Sequence, residues 1–342
     1  MTGDVGELTK VFGVKMKKII FVTLCIFKFC LLFAANAKYQ SEEFNLNVNY
    51  NDQLVPGDAV FVRMAISTPK SHKRSKSDNE HKASLQLLNE KKIVEQAPFY
   101  QIGKTKKANY VEMLCGIPLS WWLKDDNYSL KITFQTVGKE IKEFTLPVTF
   151  TLRQFSEEVI YLDAKNSAIK TNSSPERAAQ IEKLNAILFT TMPQDIYSLK
   201  AFKEPGENLR YTANAGDRRT YSYSNGKSST SIHYGNDYGM PVGTTVRSCA
   251  EGRIVMAENR ISTGWSIVIE HLPGLYSLYY HLNEVNVKEG EMVNQGEAIG
   301  KSGATGLATG PHLHWEVRLN GQAIRPEFFL NDFTFDYLSG AK

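Results

Sequence analysis

The chain is predicted to be mainly β, with an N-terminal immunoglobulin-like β-sandwich, a helical connector and a C-terminal β-rich domain. Three observations carry this expectation. Apolar residues alternate with period two in several short runs over 41–155. A helix-start signal followed by a helical stripe occupies 156–210. From about 211 the period returns to two, now with many glycines.

At 342 residues the chain exceeds one ordinary domain. Hydrophobic residues at 42% and charged residues at 22% describe globular material, neither disordered nor fibrous. The net charge of +4 is mild and spread along the chain, which argues against a nucleic-acid binder.

The N-terminus carries an export pattern. Lys17 and Lys18 form a basic start after Met16, Ile19 to Phe33 are largely apolar, and Ala35-Asn36-Ala37 is an A-x-A cleavage site. Residues 1–37 are therefore expected to be a signal peptide, with its start at Met16 or upstream. An uncleaved segment would instead serve as an N-terminal membrane anchor. Lys28 interrupts the apolar run, and a spanning helix needs about 20 clean apolar residues. Cys25 and Cys30 fall inside this segment, so the mature chain would keep only Cys115 and Cys249. Two thiols in different domains make no disulfide framework and too few ligands for an all-cysteine zinc site.

The sandwich is expected over 38–155. Its apolar alternations are Phe44-Leu46-Val48-Tyr50, Val60-Val62-Met64-Ile66, Tyr128-Leu130-Ile132-Phe134 and Phe144-Leu146-Val148-Phe150, with Asn-Asp, Pro-Gly and Val-Gly-Lys turns between. The charged run 69–82, holding His72 and His81, has no apolar period and reads as a long hairpin loop. The connector spans 156–210. There Ser174-Pro175-Glu176 is a helix start, and Ala178, Ile181, Leu184, Ile187 and Leu188 form one apolar face.

The C-terminal domain is expected over 211–332, with a tail at 333–342. Val246, Ile254, Ile267, Ile269, Leu278, Tyr280 and Val293 mark short strands. The glycine turns at 241–246 and 288–293 each feed a second glycine-containing strand, at 251–255 and 295–300. That faint repeat predicts a barrel or folded sandwich with tight corners.

Three histidine motifs have metal-site character. His233-Tyr234-Gly235-Asn236-Asp237 is an H-x-x-x-D spacing, in which Gly235 would let the backbone bend so that imidazole and carboxylate meet on one ion. By itself this spacing is common in loops. In Gly310-Pro311-His312-Leu313-His314-Trp315-Glu316, strand alternation puts His312 and His314 on one face and Leu313 and Trp315 on the other. Such a pair makes two ligands, or one ligand and one proton-transfer group, or simply two surface histidines. His281, in Tyr279-Tyr280-His281-Leu282, gains weight only beside the others.

In order and spacing these segments, together with Ser302-Gly303-Ala304-Thr305-Gly306, resemble the catalytic domain of the lysostaphin/LytM zinc endopeptidases. Gly-Asp-Arg-Arg at 216–219, Gly252, Gly290, Gly296 and Pro326 also fall where such domains have them. The resemblance covers about 211–330 and none of 41–155. It implies a duplicated-hybrid-motif β fold and a metallopeptidase that hydrolyses peptide bonds of bacterial peptidoglycan. It further implies His233, Asp237 and His314 as ligands of one catalytic Zn2+ with a fourth position left for water, whose pKa the metal lowers toward ~7. His281 and His312 are implied as the pair that handles protons and steadies the oxyanion; which is base and which is acid stays open. His271 has no implied catalytic role. An exported protein of the periplasm or cell envelope follows, with peptidoglycan peptide as partner.

The competing reading is a non-catalytic envelope module that activates wall amidases or binds peptidoglycan. Relatives of that type lose zinc ligands, whereas here all five site residues are present. The glycine-strand repeat also suggests biotinyl or lipoyl carrier domains, but neither repeat has the hairpin lysine they need.

Overall fold

In a computed structural model, the described residues are 35–68, 81–102, 110–136, 140–330, 333 and 335. They form a mainly β molecule. Two antiparallel sheets make the N-terminal unit. One has five strands in the order Ala35–Gln40, Asn45–Tyr50, Ala59–Ser67, Tyr110–Pro118, Tyr100–Ile102. The other has four, in the order Lys142–Pro147, Tyr128–Thr136, His81–Asn89, Lys92–Pro98. The alternating residues read from the sequence meet between the sheets, where Leu46, Val48, Val62, Met64, Leu130 and Ile132 are buried with Leu85, Leu87 and Cys115.

The export segment lies outside the described residues except for its A-x-A site. Ala35-Asn36-Ala37 is the first half of the edge strand, paired with Tyr50, Asn49 and Val48. Asn36 donates from Nδ2 to Oδ1 of Asn47 at 2.7 Å and of Asn49 at 2.6 Å. Cleavage after Ala37 would therefore leave Lys38–Gln40 as the remainder of that strand. Among the described residues no helix is long and apolar enough to cross a membrane. Most of the expected charged loop also lies outside the described residues, but His81 and Lys82 already belong to a strand paired with Thr136 and Gln135.

The connector is more ordered than its sequence suggests. Glu157–Tyr161 runs parallel to Arg218–Ser222, which pairs in turn with Ser228–Ile232. Two helices follow, Ala164–Lys170 and Pro175–Leu188. Ser174 caps the second by accepting from Arg177 N–H at 3.2 Å. Leu184, Ile187 and Leu188 pack on Met256, Val268, Tyr276, Leu278 and Tyr280, whereas Ile181 stays exposed, so the buried stripe is confined to the C-terminal half of the helix.

The C-terminal unit is built on one antiparallel sheet, in the order Arg210–Ala213, Gly235–Gly239, His312–Leu319, Leu275–Leu282, Gly264–Leu272, Gly252–Arg260, Met292–Val293, with Gln322–Ile324 branching off the third strand. A smaller sheet of Thr245–Arg247, Ala298–Lys301 and Glu284–Val285 folds over it. Both close on Val246, Ile254, Ile267, Ile269, Ile299, Leu313, Trp315 and Val317, a folded sandwich rather than a barrel.

The two units share a core. Strand Ala59–Ser67 is buried on both faces. Val60, Val62 and Met64 point into the sandwich, and Phe61 points out onto Phe328, Phe329, Phe333 and Phe335 at centroid distances of 5.1–6.3 Å. The stretch from 333, expected as a tail, thus begins inside this core, because its aromatic residues fill the space beside Phe61.

Candidate metal centre

Adjacent strands of the large sheet bring the three motifs together. Asp237 stands directly opposite His314 in the register between Gly235–Gly239 and His312–Leu319. Opposite residues of an antiparallel pair project to one side, so the carboxylate and imidazole share a face by construction. Leu313 and Trp315 project the other way into the core, as alternation requires.

Gly235 acts differently from the expectation. It sits in a strand with no left-handed backbone angle. A Cβ there would lie 2.4 Å from Trp315 O and 2.9 Å from His314 Nε2. Glycine is needed because the strands approach closely beside the site, not because the chain bends.

His281 reaches the same face through an irregularity. Regular pairing ends at Tyr280, opposite His314. With Tyr279 in the core, strict alternation would turn His281 toward the core too. Its φ of 62° breaks the alternation, and the imidazole packs 4.7 Å from that of His312, centroid to centroid. A left-handed histidine is uncommon, and such residues concentrate at functional sites.

The donor atoms converge. His233 Nε2 lies 3.1 Å from Asp237 Oδ1 and 3.0 Å from His314 Nδ1, and the last two are 2.7 Å apart. All three residues are buried. Donors at ~2.0–2.1 Å around a tetrahedral ion would stand roughly 3.3 Å apart, close to this triangle.

Their outer partners choose which nitrogen faces inward. His233 Nδ1–H donates to Asn214 O at 2.9 Å, leaving Nε2 for an ion. His314 Nε2–H donates to Glu316 Oε1 at 2.9 Å, leaving Nδ1. Asp237 Oδ2 accepts from Arg219 Nη2 at 2.9 Å, leaving Oδ1. Arg318 in turn holds Glu316 through Nε at 2.7 Å and Nη2 at 2.6 Å. This supporting shell is typical of metal-binding histidines and carboxylates.

The field in the cluster favours a cation. Burial alone would lower the His314 pKa, but hydrogen bonds to Asp237 and Glu316 raise it to about 9. Burial works against the Asp237 anion, yet bonds from His233 and His314 hold it well below the usual carboxylate range. A site that attracts a proton this strongly between N and O donors also suits a divalent ion, and the N,O,N donor set fits zinc.

His281 and His312 line the open side. His281 Nδ1–H donates to Thr305 O and His312 Nδ1–H to Gly310 O, both at 2.8 Å, so each turns Nε2 inward. His312 Nε2 stands 3.8 Å from Asp237 Oδ1. Burial, then the neighbouring imidazoles, push His281 down to about 3, so it is neutral at working pH. His271 lies elsewhere, wholly buried between Glu251 O at 2.8 Å and Ser277 Oγ at 2.7 Å. Sequence reasoning quoted Glu316 and Arg219 within motifs but gave them no task, and passed over Asn214 and Arg318. Only the spacing of Glu316, two strand positions from His314, could have signalled its role.

Comparison with known proteins places a likeness on the part of the chain that holds the cluster. Residues 231–326 match peptidase family M23. Similar proteins include the DD-carboxypeptidase/endopeptidase Mpg of Neisseria meningitidis serogroup B, 44% identical over 95 residues, which are 28% of this chain and 22% of Mpg. The peptidoglycan DD-endopeptidase ShyA of Vibrio cholerae is 41% identical over 92 residues, 27% of this chain and 21% of ShyA. The chain thus spans about a fifth of the length of these relatives. A crystal structure assigned to peptidase M23 from Pseudomonas aeruginosa covers 82% of this chain and 96% of its own, with a TM-score of 0.50 and 18% identity, a likeness of fold. The family match falls on the strands that carry His233, Asp237, His281, His312 and His314, so the segment 231–326 is similar to peptidase family M23.

Proposed function

We propose that this protein is an exported zinc endopeptidase that cleaves peptide bonds in the cross-links or stem peptides of bacterial peptidoglycan. The observation that carries the reading is the triangle of buried donors whose inward atoms are selected by Asn214, Glu316 and Arg219. Beside it, two imidazoles donate from Nδ1 and turn their Nε2 atoms inward. The named activity of ShyA, a peptidoglycan DD-endopeptidase, supplies the substrate class, and that of Mpg the peptidase activity.

In this reading His233, Asp237 and His314 hold one Zn2+. The ion, when bound, supplies Lewis acidity that acidifies water and polarises a carbonyl. The chain's residues do the rest. His281 or His312 takes the proton of the attacking water at Nε2, and the pair returns a proton to the leaving amine. Their donated Nδ1–H bonds keep both rings in the tautomer that can accept. The upstream unit over 38–155 is read as an immunoglobulin-like sandwich and 156–210 as its connector to the peptidase domain at 211–332. Export through the 1–37 segment would put the chain in the periplasm or envelope, where the substrate is.

The complete ligand set speaks against the scaffold reading, in which a relative keeps the fold and loses the metal. Purified cell wall incubated with the chain, with and without a chelator, followed by mass analysis of the released muropeptides, tests the proposal. New peptide termini that vanish on chelation are expected; intact muropeptides in the presence of zinc would refute it. N-terminal sequencing of the native protein is expected to start at Lys38, and a retained Met1 or Met16 would refute cleavage.

A further inference from the structure

Two contacts cross from the upstream chain into the supports of the metal centre, and both start outside the matched segment 231–326. The first is Trp121, in the connection after strand Tyr110–Pro118. It is buried with Ala215, Ala323, Phe155 and Ile232. Its ring lies against two glycines at left-handed angles, Gly57 with φ 82° and Gly216 with φ 94°. A Cβ at Gly57 would come within 2.3 Å of the indole, and one at Gly216 within 2.7 Å. The indole is thus wedged between a turn of the sandwich and the turn at 214–217.

That second turn is a clasp on His233. Asn214 O accepts from the ring Nδ1 at 2.9 Å, Gly216 N–H donates to His233 O at 2.7 Å, and His233 N–H donates to Asp217 O at 2.9 Å. Asp217 Oδ2 closes the turn by accepting from Asn214 N–H at 2.9 Å. Ring and main chain of this ligand are therefore held by three residues, Asn214, Gly216 and Asp217, of a turn whose Gly216 rests on Trp121 and Phe155.

The second contact is Glu158, on the connector strand Glu157–Tyr161. It pairs with Nε of the buried Arg219, whose Nη2 donates to Asp237 Oδ2 at 2.9 Å. Without Glu158 the guanidinium keeps a single anionic partner and can rotate away from the plane that aligns the Asp237 carboxylate.

We propose that Trp121 and Glu158 are positioning residues of the metal centre. Sandwich and connector hold the His233 turn and the Asp237 carboxylate in the geometry that retains the ion. This rests on the zinc-peptidase reading above. The sandwich then does more than occupy space upstream, because one of its side chains sets the rigidity of a ligand loop.

The test is zinc affinity of the full chain, measured with zinc alone against a chromophoric chelator, alongside the melting temperature of metal-free protein. Outer-shell changes typically weaken a metal site about 10- to 100-fold. Glu158→Gln and Trp121→Ala should each weaken zinc binding about tenfold or more, with Trp121→Phe intermediate. The metal-free melting temperature of Glu158→Gln should match the parent, which a merely structural role would not combine with lost affinity. If Trp121→Ala fails to fold, Trp121→Phe and Glu158→Gln decide. Variants that stay within about twofold of the parent's affinity overturn the inference and leave the peptidase reading standing. A parent chain that takes up no zinc overturns both.

Discussion

Which ring nitrogen faces inward decides the chemistry of each histidine. The proposed ligands are set apart from the proposed proton-transfer pair by where their inward atoms meet: His233 Nε2, Asp237 Oδ1 and His314 Nδ1 lie 2.7–3.1 Å from one another, whereas His312 Nε2 stands 3.8 Å from Asp237 Oδ1. His233, Asp237 and His314 should each lose zinc and activity together when changed to Ala. His281→Ala and His312→Ala should keep near-stoichiometric metal while turnover falls on the order of 10²- to 10⁴-fold. Metal analysis beside wall hydrolysis separates the two groups, and zinc lost from His312→Ala but kept in His314→Ala would reverse the assignment. The motifs that hold the five residues are legible because motif order is a property of sequence. The histidine tautomers are not, since Asn214 O and Gly310 O are main-chain acceptors that any residue type could supply. His271 illustrates the opposite outcome, a histidine used for packing. Burial, only partly offset by its bond to Glu251 O, lowers its pKa to about 4. The depressed value means that stability is complete above the unfolded pKa of 6.5 and is lost as pH falls from there toward about 4. The gap corresponds to roughly 3 kcal/mol at most. Chemical denaturation at neutral and mildly acid pH should show this loss in the parent and a smaller one in His271→Asn; equal losses would remove the residue from the acid response.

Strands with one solvent-facing side are legible from their alternation, and Ala59–Ser67, buried on both faces, is legible too through Val60, Val62, Met64 and Ile66. Asn45–Tyr50 and Tyr128–Thr136 show clean alternation because solvent wets their other side. Tyr110–Pro118 is buried almost throughout, its Leu114 in the shared core and its Met113 and Cys115 in the sandwich, so no period marks it. The connector strand Glu157–Tyr161 was missed for another reason. Its partner, Arg218–Ser222, is some sixty positions away, and a parallel edge pairing leaves little local trace. The helix at Pro175–Leu188 is legible through its cap and stripe, yet its apolar packing is confined to its last turns, while Arg177 and Gln180 dock the first half through polar bonds to 260–262. Leu188 is 2% exposed and packs against the outer side of the central sheet, whereas Ile181 at 41% makes little use of its apolar surface. Leu188→Ala should therefore cost about 2–4 kcal/mol in urea unfolding and Ile181→Ala well under about 1 kcal/mol. Comparable losses would mean that the whole stripe is buried in solution.

On the scale of the molecule, the sequence shows two β patterns and a connector, which suggests units that meet loosely. The structure joins them through a cluster that no local period encodes. Phe61 and Leu114 of the upstream unit complete the core that holds Phe329, Phe333 and Phe335. Around it, polar bonds cross the same boundary. Asp58, already held by Arg153 within its own unit, accepts from Arg325 at 2.9 Å, Arg325 N–H donates to Gly57 O at 2.7 Å, and Asn320 Nδ2 donates to Gly116 O at 3.0 Å. Breaking such a boundary exposes aromatic surface and takes Arg325 from the buried Asp58 carboxylate, so the units have little reason to unfold separately. Full-length protein should accordingly melt in one transition that both units share. Phe61→Ala should lower the stability read from that single transition by about 3–5 kcal/mol. A chain limited to 200–342 should expose the Phe329–Phe333–Phe335 face and aggregate, or melt well below the parent, when followed by calorimetry and light scattering. Two resolved transitions, with only the first moved by Phe61→Ala, would show instead that the peptidase unit keeps its own core intact without the sandwich.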